Sequence, residues 1–591
     1  MASGLRMIDA ASPFVLLDDA RSEGAQPARL YRRPVDIVET CDPGGVRDAL
    51  ERLRSAGARG LHAAGLLSYE AGYALERKLA PLRSPAPPEV PPLLWFGLFE
   101  GYEEVTKVEQ ILPDPASAWA SAPKPLIERG VYEAAVGRIK AHIEAGDIYQ
   151  ANFTFAAEVR TAGSPLALYG SIRSRARAGH GGLVFTGDHW LLSFSPELFF
   201  TIEGGRITTR PMKGTAVRAS DDSAAVEALK ADPKQRAENL MIVDLLRNDL
   251  SKVSRPGTVK VPSLFEVETY PTVHQMTSTV IAELDERVDA VDVIGAIFPC
   301  GSITGAPKIR AMEILAGLEN HRRGIYTGSI GSLSPEGNAA FNVTIRTLVM
   351  TPASAHAVVG LGSGIVADSE GGDEWRECLA KGAFVADRDR SFDLIETMRF
   401  DPHEGVLDLE RHLARLKASA QELGFEFDRH AARNDLQAAT FRLREPRKIR
   451  LLVSPGGAVS LEGSALPEPL GEPVEVAVAP LPVANDDFRL RHKTSDRSFY
   501  DEARARSGRA EVLFEDGQGF LTEGSFTHIF VERGGLLLTP PLSRGLLPGV
   551  LRARLIEEGE AEEADLTPTD LASGFYIGNA VRGLMRAVLC Q

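Results

Sequence analysis

The chain has 591 residues, 44% of them hydrophobic and 25% charged, with a formal net charge of −15. That length allows about three to five domains, and the composition is that of a globular protein with sizeable cores. The acidic balance argues against a nucleic-acid or anionic-membrane partner, which would want a basic face, and it obliges an anionic substrate to meet locally supplied positive charge. The four cysteines, Cys41, Cys300, Cys378 and Cys590, lie far apart with no CxxC pair. Neither a disulfide framework nor a zinc site is expected from them. Met1–Arg6 lacks the apolar run of a signal peptide, and no stretch of about 18 apolar residues could span a membrane. The expectation is a cytoplasmic protein with no membrane partner.

In chain order, Phe14–Asp18 predicts a strand, and Val46–Ala56 a helix started by Asp42-Pro43. The proline-rich segment 81–92 reads as a connector, and Leu93–Phe99 as a buried strand. Val136, Ile139, Lys140 and Ile143 have helical spacing; Gly146-Asp147 ends that helix before Ile148-Tyr149-Gln150. Gly205–Thr209 reads as a strand, and Arg210-Pro211-Met212-Lys213-Gly214-Thr215 as a tight connection after it. Proline fixes one dihedral and glycine permits an unusual one, so the backbone aims Lys213. A lone turn lysine is usually a solvated surface charge. This one has company that raises its interest: Ser195-Pro196-Glu197, Glu238, His274, Arg346, Glu374, Glu377 and Lys381.

Asp232-Pro233 signals a helix running to about Asp249, with Leu240, Val243, Leu246 and Leu250 as its apolar stripe. Glu238 lies off that stripe and alone would be a solvated carboxylate. In Gly372–Lys381, residues Glu374, Glu377 and Lys381 share one helix face. Two helices presenting Glu238 and Glu377 to one point would make a hard-oxygen site suited to Mg²⁺, which keeps waters and takes substrate oxygens as well. Gly301–Lys308 lacks the Gly-Lys-Ser/Thr of a P-loop, and Gly362–Ala367 is followed at once by acidic residues, with no room for a dinucleotide-binding unit. Both read better as backbone nests offering N–H groups to carboxylates. The polar run Asp387-Arg388-Asp389-Arg390-Ser391 marks a domain boundary, after which Phe392–Phe400 starts a new pattern.

The ordered strings Gly146–Asn152, Pro211–Thr215, Ala237–Asp249, Pro299–Lys308 and Gly362–Ser369 resemble the chorismate-utilising enzymes, and among them aminodeoxychorismate synthase component I. Anthranilate synthase usually has Ala where Lys213 stands. The last third resembles the fold-type IV pyridoxal-phosphate enzymes, aminodeoxychorismate lyase included, through Glu396-Thr397-Met398-Arg399, His492–Arg497, Leu521–Thr527, Gly545–Val550 and Gly578–Gly583. The resemblance implies an α+β multidomain chain. A chorismate-utilising α/β sandwich would be followed by a fold-type IV α+β domain, with an N-terminal layer over 1–125, a chorismate-binding domain over 126–387 and a lyase-like domain over 388–591.

The same resemblance implies two successive reactions: amination of chorismate, then elimination of pyruvate to give 4-aminobenzoate for folate. Lys213 would be the nucleophile, Glu197 the acid/base at the departing hydroxyl, and His274 its hydrogen-bonding neighbour. Substrate contacts would come from Gln150, Thr304, Tyr326, Arg346, Gly362, Gly364 and Lys381. In relatives that add water to chorismate a lysine base matches Gln150, and a neutral amide cannot take that role. Glu238 and Glu377, with Glu374 close by, would hold Mg²⁺. In the last third, Lys493 would carry pyridoxal 5'-phosphate and Glu523 would face its ring nitrogen. Arg415 would pair with its phosphate, helped by N–H groups near Leu547, Val550, Asn579 and Ala580. No Gly-x-Cys-x-Gly nucleophile turn is present, so ammonia is expected from a separate glutamine amidotransferase subunit. The resemblance leaves room for a homodimer through the C-terminal domain. The alternatives are an anthranilate synthase fused to an aminotransferase, and a chain with one half serving only as a scaffold.

Overall fold

A computed structural model describes residues 7–8, 10–218, 222–269, 273–352, 354–387, 391–572 and 574–590. The chain divides into two compact units. The first comprises Met1–Pro113, Ala122–Val159 and Tyr169–Ala386; the second comprises Asp114–Ser121, Arg160–Leu168 and Asp387–Gln591. Met1–Arg6 and residues 388–390 of the expected boundary string lie outside the described residues.

The first unit is built on two large antiparallel sheets. Their inward faces follow from period-2 alternation. Along His62–Leu67, Ala64 and Leu66 enter one core with Trp95 and Phe99, while Ala63 and Leu67 enter another with Phe96 and Leu98. Strand Leu94–Phe99 is therefore buried on both faces, as its unbroken apolar run predicts. The first core also takes Val15, Val184 and Leu191 from the other sheet, so it lies between the two sheets. The second core is closed by helices Val46–Ala58, Pro233–Ser251 and Ala290–Ile297. Asp42 caps the 3-10 turn before the first of these, and Asp232 accepts the Lys234 and Gln235 amides at the start of the second.

The expected stripe on Pro233–Ser251 needs one change. Leu240 is 45% exposed, and Ile242 takes the buried place beside Val243, Leu246 and Leu250. Steps of three and four from Asn239 bring 242, 243, 246 and 250 onto one face and leave 240 outside it.

The second unit has a four-stranded antiparallel sheet and an eight-stranded mixed sheet. On the four-stranded sheet, Leu394, Met398, Ile449, Leu451 and Val453 pack with Leu413, Leu416 and Leu423 of helix Leu409–Leu423. Trp119 and Ala162, from the two early segments, join this core, with Trp119 edge-on to Phe392 at 6.0 Å. No helix among the described residues is long and apolar enough to cross a membrane.

Candidate active sites

Strands Arg206–Arg210 and Met212–Val217 both run along Val273–Glu283. The register slips between Met212 and Thr215, and Gly214 sits at φ +95°. Lys213 therefore projects from a bulge in a strand rather than from a tight connection. A bulge re-aims a side chain at small cost in pairing, and glycine supplies the positive φ it needs. A Cβ on Gly364 would lie 2.8 Å from Lys213 Nζ and 2.7 Å from Gln150 Nε2. Glycine at 364 thus leaves room for amine and amide to converge on strand His356–Ile365.

Glu197 is buried on the same site. The Ser302 hydroxyl donates to its carboxylate at 2.7 Å, and the Met212 backbone adds a bond. Burial pushes the Glu197 carboxyl up to about 7, against the pull of Ser302, Lys213 and Lys381. Lys381 reaches the Gly362 carbonyl at 3.1 Å and Glu377 at 2.7 Å. Enclosure would raise Glu377, but Lys381, Lys213 and Lys234 outweigh it and hold that carboxyl low. Burial keeps Glu238 raised in spite of Lys213 and Lys234, with Asp368 and Glu377 adding to the rise. Lys213, Glu197, Lys381, Glu238 and Glu377 thus share one electrostatic neighbourhood.

Several expected site residues have protein partners of their own. His274 is buried with Nδ1 on Thr269 at 3.0 Å and Nε2 on Asp222 at 3.1 Å, so both ring nitrogens are engaged away from Glu197. Thr304 turns its hydroxyl to the Cys300 and Gly301 carbonyls. Glu374 accepts from Ser369 at 2.7 Å and forms no three-carboxylate group with Glu238 and Glu377. Gly362 and Gly364 lie in a regular strand and Gly301–Ile303 in a 3-10 turn, so neither stretch is a nest. Tyr326 is buried with its ring against Gly360, where a Cβ would come within 2.0 Å. Arg346 holds a left-handed backbone, φ +50°, and its carbonyl accepts from Phe194. Ser302 and the Met212 amide were not singled out from sequence; Ser302 stood inside the Pro299–Lys308 string, and a backbone amide leaves no residue signature.

For a divalent ion the donor chemistry is oxygen only. Among the described residues no group of three His, Cys, Asp or Glu side chains converges. Glu238 and Glu377 remain, a pair of hard carboxylates of the kind Mg²⁺ takes together with water and substrate oxygens.

In the second unit a cavity of about 620 Å³ is lined by Lys493, Glu523, Arg415, His528, Val550 and Asn579, among others. Burial pushes the Lys493 amine down to about 7, with the Arg415 guanidinium acting in the same direction. Tyr500 donates to Glu523 at 2.6 Å. Burial lifts the Glu523 carboxyl to about 7 in spite of Arg497 and Tyr500. His528 Nδ1 is buried with no hydrogen-bond partner, 3.9 Å from Glu523. Burial pushes that imidazole down to about 3, so it is neutral.

Arg415 forks onto Glu396 at 2.8 and 2.6 Å and donates to the Pro548 carbonyl at 3.0 Å. Burial would raise Glu396; Arg415 and His412 outweigh it and hold that carboxyl well below its usual range. Three of the five guanidinium N–H groups are thereby used and two remain for an anion. The Leu547 amide is turned toward the Glu523 carboxyl and favours its charged form. Val550 begins helix Val550–Glu557, whose first amides are unpaired within the helix. Asn579 accepts from the Val581 and Arg582 amides and donates to the Phe526 carbonyl, fixing the turn that holds Ala580 at the cavity wall. A buried amine, a facing carboxyl, spare guanidinium donors and a helix N-terminus fit an aromatic aldehyde phosphate in size and charge.

Residues 44–387 match the family model described as chorismate binding enzyme, and the chain belongs to that family. Residues 393–590 match the model described as Amino-transferase class IV, a family that generally uses pyridoxal phosphate. The chain is 42% identical over 268 residues to aminodeoxychorismate synthase component 1 of Klebsiella aerogenes, covering 45% of this chain and 58% of that one. It is 42% identical over 284 residues to 2-amino-4-deoxychorismate synthase of Streptomyces globisporus, covering 46% and 56%. It thus spans a little over half the length of these curated relatives. Anthranilate synthase component I from Streptococcus pneumoniae TIGR4 superposes with a TM-score of 0.53 at 24% identity, over 65% of this chain and 95% of that one, a likeness of fold.

Proposed function

We propose that the chain makes 4-aminobenzoate from chorismate in two steps, one in each unit. The observation that carries this reading is the Lys213 amine on its bulge beside the raised Glu197 carboxyl. Lys213 attacks C2 of the ring as the C4 hydroxyl leaves, and Glu197 donates the proton that makes water of it. Ammonia then bonds to C4 and the C2–lysine bond breaks. Two allylic displacements replace one difficult substitution. Glu238 and Glu377 would hold Mg²⁺, which supplies positive charge for a substrate carboxylate. Lys381 and Arg346 add cations, of which an arginine fork suits a carboxylate best. Ammonia comes from a separate glutamine amidotransferase subunit, in keeping with the "component 1" of the relatives' name.

In the second unit, Lys493, Glu523, Arg415 and the amides at Val550 and Ala580 would hold pyridoxal phosphate. When bound, that group supplies an electron sink. Lys493, whose amine is half neutral near pH 7, takes the proton from C4 of aminodeoxychorismate and returns it to the departing enolpyruvyl group, so that pyruvate and an aromatic ring result. Glu523 would face the ring nitrogen and would keep a proton there. The test is incubation of the pure chain with chorismate, ammonium, Mg²⁺ and pyridoxal phosphate, followed by chromatography. The expected product is 4-aminobenzoate with one equivalent of pyruvate; anthranilate in its place would refute the reading.

A further inference from the structure

We propose that Arg323 is a positioning residue for amination: it fixes the spacing between the strand that carries Gln150, the turn that carries Ser302, and the segment that carries Tyr326. This rests on the reading of the first site given above. Arg323 is buried, and each of its five N–H donors has an acceptor. Nε and one Nη2 hydrogen grip Glu319 at 2.9 and 2.8 Å. The other Nη2 hydrogen goes to the Asn152 carbonyl at 2.6 Å, two residues past Gln150. Nη1 spans the Ile303 carbonyl at 3.2 Å and the Thr327 hydroxyl at 3.3 Å. Ile303 lies between Ser302 and Thr304, and Thr327 follows Tyr326.

The clamp is itself clamped. Glu319 also accepts from the Thr154 amide and hydroxyl at 2.9 Å each. Glu70 accepts from the Arg323 amide at 2.8 Å, and the Tyr69 ring lies under the guanidinium at 4.4 Å. Thr327 holds φ +62°, which a β-branched residue adopts only when its surroundings impose it. A guanidinium is the side chain that can tie three backbone segments at fixed angles, because its donors form a rigid plane. Displacing the Ile303 carbonyl would carry Ser302 off Glu197, so Glu197 is the reporter. The titratable groups facing Glu197 are Lys213, Lys381 and Cys300.

Arg323→Lys keeps the charge beside Glu319 but offers three donors in place of five. Without the Ser302 bond the Glu197 carboxyl should titrate higher. The expected result is an upward move of about one pH unit in the limb of the kcat profile that reports Glu197. The kcat should fall about ten- to a hundredfold, with KM for chorismate changed less than about threefold. Ser302→Ala should reproduce the limb shift, and adding Arg323→Lys to it should move the limb no further. A folded Arg323→Lys protein with an unmoved limb and normal kcat overturns the inference. Should that variant not fold, Glu319→Gln, which keeps the shape of the clamp and weakens it, must show the same displacement in smaller measure; its absence there overturns the inference equally. Infrared difference titration of Glu197 against Glu197→Gln reads the same displacement without turnover. A wild-type chain that aminates no chorismate would sink the functional reading, and the titration would still decide the role of Arg323.

Discussion

The two units each present an amine and a carboxyl, and they surround the amine in opposite ways. Carboxylates gather about Lys213: Glu197, Glu238 and Glu377 all feel its charge. Guanidiniums gather about Lys493: Arg415, Arg497 and Arg450 all act on it, with Glu396 alone opposing them among the charges that count most. Like charge and burial together favour a neutral amine at the second site. At the first site the amine is one member of a mixed-charge set, with Lys381 and Lys234 acting on the same carboxylates. A lysine beside a buried carboxyl therefore does not imply one kind of pocket.

The largest expected effects separate the sites outright. Lys213→Ala should lower chorismate consumption by roughly a thousandfold or more, as loss of a covalent nucleophile does, while lyase turnover of supplied aminodeoxychorismate continues. Lys493→Ala should do the reverse: chorismate is consumed, aminodeoxychorismate accumulates, and an added independent lyase restores 4-aminobenzoate. Chromatography of both variants checks this, and loss of both activities in either one would break the two-site comparison.

Glu197→Gln should slow amination by roughly 10²–10⁴-fold, the range for loss of a positioned proton donor. The wild-type rate should fall as pH rises through about 7, because the folded carboxyl must be protonated to act as the acid. That limb should vanish in the variant; a pH profile of each settles it.

The environment of Lys493 predicts its own titration. In protein free of pyridoxal phosphate, acetylation of Lys493 followed by peptide mapping should show a half-point near pH 7, since burial and Arg415 depress the amine to that value. A half-point near the ordinary lysine value of about 10.4 would contradict the proposed neutral amine.

Gly364→Ala should have a smaller effect, about tenfold on amination and none on the lyase step, because the new Cβ meets the ends of Gln150 and Lys213, whose flexible chains can retreat. Smallest of all, Leu240→Ala should change stability by less than about 0.5 kcal/mol, whereas Ile242→Ala should cost about 2–5 kcal/mol. Thermal or denaturant unfolding of the pair measures the difference that exposure makes on one helix.

The strings, taken in order along the chain, indicated a chorismate-binding half and a class IV half through their resemblance to those families. Caps and buried strands were equally legible: Asp42, Asp232 and Leu94–Phe99 act through neighbours in sequence. What tertiary structure alone decided was direction. His274 looks toward Asp222, Glu374 is turned to Ser369, and the Leu547 amide serves Glu523. Each of those choices depends on a partner distant in the chain or on a backbone group with no signature of its own. Arg323 shows the same limit most fully: its acceptors come from Asn152, Ile303, Glu319 and Thr327, and only folding brings four such segments to one guanidinium. A hydrogen bond is satisfied in space, and spacing along a chain fixes that space only within a single turn of helix or a single step of strand.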